Sequence, residues 1–375
     1  MYRPKVFDFT PALKPIVCEE LRGWGPGLRY FSDVLTYNMF TVKEILYRRH
    51  VDIISVHDWL SSFAGMTLSK LRKGPVVFHV HSTEKGRALG GGSSLISALE
   101  SEMGRNASAV ITVSNAMREN LVSEGFQPEK IHVVHNGVDP EVFDPSRVSK
   151  EERMEVRERH GVGEDDWMIL YLGRLVWVKG VENLIQAFRM VTREIPNTKL
   201  VIVGLGELER RVKEAAREPD IEGRLSYRFE FLPVEEKIRY YAACDLAVFP
   251  SLYEPFGIVA LEAMSVGKPV VASDVGGFSE MIEDGVTGVK VRPGDAEELA
   301  SAIERLVEDA ELRRALGEAG MRVVRERFSW KVVAEKVLRI YRRVLSEYRR
   351  GTWKPVMPGE VPSKPRPSSR RTGSR

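Results

Sequence analysis

Short apolar runs rich in β-branched residues alternate with longer amphipathic stretches along most of the chain. The runs at 51–56, 75–80, 109–113, 131–135, 168–173, 199–204, 227–231, 245–250, 269–272 and 288–291 predict strands. Between most of them apolar positions recur at helical spacing. Within 181–194, for example, Leu184, Ile185, Phe188 and Val191 share one face. Strands that are apolar throughout and joined by helical crossovers predict parallel sheets buried on both faces. The charge-rich stretch from 139 to 166 holds no strand pattern and divides the series into four strands and six. A last helical pattern, 329–349, precedes a Pro-, Ser- and Arg-rich tail too polar to build a core.

The expected organisation is α/β, with two doubly wound domains facing one another. The parts are a first domain 1–140, a connector 141–166, a second domain 167–328, a C-terminal helix 329–350 and a disordered basic tail 351–375. Sheets of this kind bind ligands at the carboxyl ends of their strands, which places the chemistry in the cleft between the domains. Residues 1–50 show no opening strand followed by a Gly-rich turn. Gly23, Gly25 and Gly27 fall in an aromatic stretch, 21–30, read as a loop. The first domain is therefore expected to be truncated, lacking its first strand and glycine loop, either as a small sheet or because the chain as written lacks its beginning.

Charge and composition narrow the class. The formal net charge is +3, yet residues 351–375 alone carry +5, which leaves −2 for the rest. Basicity belongs to the tail, read as a solubilising extension, and no nucleic-acid partner is expected. Two cysteines, Cys18 and Cys244, exclude a disulfide scaffold and a Cys-rich metal site. No apolar run approaches a membrane span and no signal pattern opens the chain, so a cytoplasmic protein without integral membrane association is expected. For the same reason Asn106-Ala-Ser108 is not read as a glycosylation site. Gln occurs only at Gln127 and Gln186 against 29% charged residues, a composition that suits a hot-adapted source.

The strongest chemical phrase is Glu254-Pro-Phe-Gly-Ile-Val-Ala-Leu-Glu262, following the run 245–250 and expected to open a helix near Phe256. Amides at a helix start hold anions. Eight residues make about two helical turns, so both carboxylates can face one ligand from different depths. Gly173-Arg174-Leu-Val-Trp-Val-Lys179-Gly180 offers a forked and a point cation at a strand end. Gly204 and Gly206 close the run 199–204. In the first half, His79 and His81 end the run 75–80 and are followed by Ser82, Thr83 and Glu84, while His57-Asp58-Trp59 ends the run 51–56. Asp58 also suits a helix cap with Trp59 in the core. His79 and His81 fit a metal pair, a packed strand end or a cleft site, but no third ligand is spaced nearby and the sequence contains no Asp-x-Asp. Residues 84–87 and 90–94 read as a flexible loop. Trp167, Trp177, Tyr240 and Tyr241 read as packing, with Trp177 the one placed to touch a ligand.

Jointly, these phrases resemble the retaining glycosyltransferases of family 4 and their glycogen- and starch-synthase relatives, a GT-B architecture of two Rossmann-like domains. The likeness spans roughly 50–348, and the composition suggests an archaeal or thermophilic member. It implies that Gly173, Arg174, Lys179, Gly204, Phe256, Gly257, Ile258 and Glu262 bind the donor, Arg174 and Lys179 gripping its diphosphate and Glu262 its ribose. Glu254 is implied to meet the donor-sugar hydroxyls and to form the catalytic set with His81, Arg174 and Lys179. His57, Asp58, Ser82 and Thr83 fall on the acceptor side, with Thr112-Val-Ser114 facing the cleft and Asn136-Gly-Val-Asp139 entering the connector.

The resemblance further implies transfer of a hexose, glucose above all, from ADP- or UDP-glucose to an α-glucan. No cofactor or metal is expected, because Arg174, Lys179 and the helix start after Glu254 supply the charge that the departing diphosphate needs. The alternatives are a family 4 enzyme with a lipid, glycoconjugate or small-sugar acceptor, and a nucleotide-sugar-binding fragment without turnover. A nucleotide-sugar epimerase and a glucan phosphorylase share the two-domain plan and fit the basic loop and paired glutamates less well.

Overall fold

The computed structural model describes residues 26–47, 51–71 and 73–351. The first domain alternates helices α1 (Pro26–Tyr47), α2 (Ser62–Lys70), α3 (Glu84–Arg87), α4 (Ser94–Asn106) and α5 (Asn115–Ser123) with strands β1 (Ile54–His57), β2 (Val76–Val80), β3 (Ala109–Thr112) and β4 (Ile131–Val133). The strands form a parallel sheet in the order β1-β2-β3-β4. The expected lack of an opening strand concerns residues of which 1–25 and 48–50 lie outside the described ones.

The aromatic stretch 21–30 is not a loop throughout: from Pro26 the chain is α1. A proline suits the first turn, where its missing N–H would be unpaired in any case. Further along, Phe31 and Val34 pack with Trp59 and Leu99. Buried Asn38 joins α1 to the start of α2, its Nδ2 donating to Leu60 O at 2.7 Å and its Oδ1 accepting from Ala64 N at 2.8 Å.

The second domain holds β5 (Trp167–Leu172), β6 (Thr198–Val203), β7 (Leu225–Arg228), β8 (Leu246–Phe249), β9 (Val270–Ser273) and β10 (Val289–Val291). Its helices are α6 (Lys150–Arg159), α7 (Val181–Glu194), α8 (Glu209–Ala215), α9 (Val234–Ala243), α10 (Ile258–Ser265), α11 (Gly277–Met281), α12 (Ala296–Glu308) and α13 (Ala310–Arg327), and a last helix, α14 (Trp330–Arg349), follows. All pairings are parallel, in the order β10-β9-β8-β5-β6-β7. The chain thus starts in the middle, builds outward one way and then the other. This is the doubly wound order, with a crevice between β5 and β8 where the direction reverses. Leu184, Ile185, Phe188 and Val191 of α7 are fully buried on the sheet, each worth about 1.5–3 kcal/mol of burial.

Two expectations shift. The strand expected at 227–231 is β7, two to three residues earlier: Leu225 pairs with Leu200 and is buried, while Phe231 ends up exposed. The stretch 141–166, expected to be a connector, packs into the second domain. Phe143, Val148, Val156 and Val162 join the core that includes Met168 and Leu170. Ser149 and Glu152 form a reciprocal cap on α6. Buried Arg157 donates to Ala243 O and Asp245 at 3.1 Å, to Gly163 O at 3.0 Å and to Asp166 O.

The chain crosses between domains twice, side by side. Val138 N donates to Phe328 O at 2.9 Å and Trp330 N to Val138 O at 3.1 Å. The second crossing delivers α14 back to the first sheet, where Val333 and Val344 are buried with Val77, Ala109, Ile111 and Val134. Nearby, Glu280 of α11 accepts from Asn115 Nδ2 at 2.8 Å and Ala116 N at 2.9 Å, and His135 Nε2 lies 3.0 Å from it. Among the described residues no helix is long and apolar enough to cross a membrane. The basic tail lies beyond residue 351, outside them.

His79 is buried beneath α14, its Nε2 2.9 Å from Tyr341 Oη. Burial first, then the neighbouring His57 and His81, push its pKa down to about 3. An imidazole that refuses a proton when folded but takes one at the ordinary 6.5 when unfolded stabilises the fold fully above that pH and progressively less below it. His79→Gln removes this titration, so its melting temperature should fall less steeply than the wild type's between pH 6.5 and 4. Equal slopes would show that His79 does not carry the acid sensitivity.

Candidate active site

The loops after β5 and β8 meet over the crevice. Leu252 N donates to Val178 O at 2.8 Å, tying the basic loop to the Glu254 loop. Behind them, a Cβ on Gly204 would lie 1.8 Å from Gly173 O. The Gly204–Gly206 turn therefore lets the basic loop lie directly on the end of β6, which no other residue would permit.

These loops and the facing end of β2 enclose a cavity of about 740 Å³. Its wall includes His81, Ser82, Gly173, Arg174, Lys179, Gly204, Glu254, Phe256, Gly257 and Ile258 among the residues expected from the sequence. Glu262, His57, Asp58 and Thr83 do not line it.

The charges on the wall are nearly all committed. Lys179 Nζ lies 2.6 Å from Glu254 Oε2, which also accepts from Ser251 Oγ at 3.1 Å. Lys237 Nζ lies 3.1 Å from Glu262 Oε1, and Tyr241 Oη donates to Glu262 Oε2 at 3.0 Å. Arg87 is paired with Glu84 at 3.0 Å and Glu100 at 3.4 Å. Arg174 is exposed and, among the described residues, has no carboxylate partner. The helix starts at Gly180 and Gly257 carry no side-chain cap, so their first amides remain open to an anion.

Glu254 precedes its helix, which opens two residues later than the expected Phe256. Gly257, at φ +96°, is the N-cap, and α10 begins at Ile258. Glu254 therefore belongs to the loop, while Glu262 sits one turn into the helix, buried and reaching the cavity only through its partner Lys237. Phe256 lines the cavity but buries its ring near His135 and Phe328, with centroids 5.7 and 6.3 Å away.

On the opposite wall His81 ends β2. Its N–H donates to Asp58 Oδ1 at 2.8 Å, and its Nε2 lies 3.0 Å from His57 Nδ1. The rings stack at 5.3 Å. Asp58 thus makes no side-chain cap on the turn it precedes; with His57 it supports His81 from behind. Burial, then His81, lower the His57 pKa, partly offset by Asp58. Thr83 is likewise structural, its Oγ1 accepting from Gly86 N at 3.1 Å.

Residues 84–87, expected in a flexible loop, form the capped turn α3. Buried Glu100 explains it, accepting from Glu84 N through both oxygens at 3.1 and 3.0 Å. Burial pushes its carboxyl up to about 7, although the Glu84 amide and Arg87 both oppose the shift. Arg87 in turn donates to Ser82 Oγ at 2.7 Å.

Lys237, Tyr253 and Glu100 were not singled out from the sequence. The i, i+4 spacing of Lys237 and Tyr241 on α9 was the available signal for the first. The other two have partners remote in the chain. Trp177 does line the cavity and is 55% exposed, whereas Tyr240 and Tyr241 are buried.

Residues 152–323 match the family model described as glycosyl transferases group 1, and residues 4–142 match glycosyltransferase family 4. An uncharacterised glycosyltransferase of Methanocaldococcus jannaschii is 36% identical over 318 residues, 82% of this chain and 81% of that one. The α-maltose-1-phosphate synthase of Mycolicibacterium smegmatis is 33% identical over 85% of this chain and 86% of its own. A glycogen synthase of Mycobacterium tuberculosis is 33% identical over 77% and 68%. Among solved structures, sucrose-phosphate synthase from Thermosynechococcus elongatus superposes with a TM-score of 0.75 at 26% identity, covering 86% of this chain and 81% of that one. Anabaena HepE in complex with UDP and glucose gives 0.69 at 26%, covering 82% and 80%. With two facing parallel-sheet domains, a cleft at the strand-order reversal and these likenesses over most of its length, the chain belongs to the group 1, family 4 glycosyltransferases of GT-B architecture.

Proposed function

We propose that this glycosyltransferase moves glucose, with retention of anomeric configuration, from ADP- or UDP-glucose to the end of an α-glucan. The observation that carries the reading is the charge pattern of the cavity. Lys179 and Lys237 are balanced by Glu254 and Glu262, Glu230 is held by Arg228, and Glu207 accepts from Trp177 N. Arg174 has no carboxylate partner among the described residues, and the helix starts at Gly180 and Gly257 are uncapped. Such a wall suits the diphosphate of a nucleotide sugar. As the glycosidic bond breaks, negative charge gathers on the departing diphosphate, and fixed donors stabilise it without reorganising. Glu254 and His81 then face the transferring sugar from opposite domains. Arg174, Lys179 and the α10 amides supply the electrostatics in place of a metal.

A neutral acceptor is favoured on the first-domain wall, because its one guanidinium, Arg87, is already held by Glu84 and Glu100. A phosphorylated acceptor would need a free cation there. The likeness to a glycogen synthase points the same way.

Labelled ADP-glucose and UDP-glucose, each offered with glycogen, maltose and glucose 1-phosphate, test this directly. Incorporation into polymer with α linkage is expected. Label found only in a small phosphorylated product would overturn the acceptor assignment, and absence of transfer from either donor would overturn the whole reading. Transfer should persist in excess EDTA; loss restored by a single metal ion would contradict the metal-free assignment.

Arg174→Ala strands no carboxylate, so it should lower turnover about a hundredfold or more while leaving the melting temperature unchanged. Lys179→Ala should lower turnover comparably and also destabilise, since leaving a buried partner charge unpaired costs about 3–5 kcal/mol. Near-normal turnover in Arg174→Ala would place the donor elsewhere.

A further inference from the structure

Glu254 is gripped from the opposite domain on both sides. Its preceding residue, Tyr253, belongs to the second domain by sequence, yet its ring packs against the apolar core of the first sheet. There it meets Gly86 of α3 so closely that a Cβ on Gly86 would stand 2.0 Å from the phenol oxygen and 2.4 Å from Cζ. The backbone of Gly86 is helical, so glycine is needed there for space and not for conformation. The following residue, Pro255, offers its carbonyl to Ser114 Oγ at 2.7 Å. Ser114 is fully buried and also accepts from Met117 N at 3.1 Å, so the bond comes from a fixed point at the start of α5. Within its own domain Glu254 is held by Lys179 and Ser251, and its carbonyl accepts from Gly277 N at 3.0 Å.

We infer that Tyr253 and Ser114 are positioning residues through which the first domain places the Glu254 carboxylate opposite His81, so that this carboxylate is correctly aimed only when the domains are closed. The segment that carries His81 also carries Gly86, five residues on. The Tyr253–Gly86 contact therefore sets the separation of the two walls from a point beside each of the groups that must cooperate. A rotation that opens the cleft has to withdraw Tyr253 and break the Ser114–Pro255 bond, which moves both neighbours of Glu254. An error of about 1 Å in such an arrangement costs on the order of a hundredfold in rate. This inference rests on the reading of Glu254 as the donor-side carboxylate.

Gly86→Ala places a wedge at this contact without disturbing the helical backbone. It should lower kcat by about ten- to a hundredfold, with the affinity for UDP or ADP, measured by calorimetry, within about threefold of wild type. Small-angle scattering should show a larger radius of gyration. Tyr253→Ala should lower kcat similarly. In that background Gly86→Ala should add nothing, because residues acting through one contact are not additive. Circular dichroism and melting curves check that each variant folds. Turnover of Gly86→Ala within about twofold of wild type, or penalties that multiply in the double variant, would overturn the inference. An unchanged scattering curve for Gly86→Ala overturns it whatever the acceptor proves to be. Absence of sugar transfer by the wild type counts against the functional reading instead, and the scattering comparison then judges the contact by itself.

Discussion

The reversal of strand order between β5 and β8 is the constraint on which the rest of this molecule depends. Neighbouring parallel strands whose crossover helices leave toward opposite faces cannot be bridged by their own loops, so a crevice opens at their carboxyl ends. The two loops that border it, 173–180 and 251–257, are the two that carry Arg174, Lys179 and Glu254. They are joined by a backbone hydrogen bond from Leu252 to Val178 and supported from below by the Gly204 turn. This wall is thus mainly backbone geometry, to which the side chains add charge.

That wall is nearly neutral before anything binds. Each buried carboxylate has its ammonium partner, which is how charges survive at low exposure. Bringing in a diphosphate therefore does not require two strongly hydrated lysines to be stripped of water from scratch. The pairs are already dry, and Arg174, the more weakly hydrated cation, is the one presented to solvent. The first-domain wall follows a different logic, with His81 stacked on His57 and His57 on His79, and with burial lowering the basicity of His57 and His79.

Much of this was legible in the sequence for a physical reason. Strands buried on both faces must be largely apolar, so β5, β6, β8 and β9 stand out from the helices as short, mostly apolar runs without helical spacing. The ends were harder. β7 sits earlier than its aromatic pattern suggested, because Tyr227 and Phe229 stack on one another beside the strand end and Phe231 turns into the cleft. The start of α1 was hidden by glycines that ordinarily mark loops. Within the site, Arg174, Lys179, Glu254 and His81 were visible as strand-end residues. The depth of Glu262, by contrast, differs from the expected two turns, because left-handed Gly257 delays the start of α10 to Ile258 and leaves Glu262 one turn in. Glu100 and Tyr253 leave no local pattern, since their partners come from other elements, and the one local signal for Lys237 is its i, i+4 spacing to Tyr241.

The return of α14 to the first sheet has a bearing on synthesis. Ribosomes release chains from the amino end, so the first sheet emerges early with the face formed by Val77, Ala109 and Ile111 uncovered. Its cover, residues 330–349, is translated only after the whole second domain. The second domain can complete its own core while the first still waits, which reverses the usual order in which the leading domain matures ahead of the trailing one. Until the final helix docks, that apolar face is the part of the nascent protein most in need of protection.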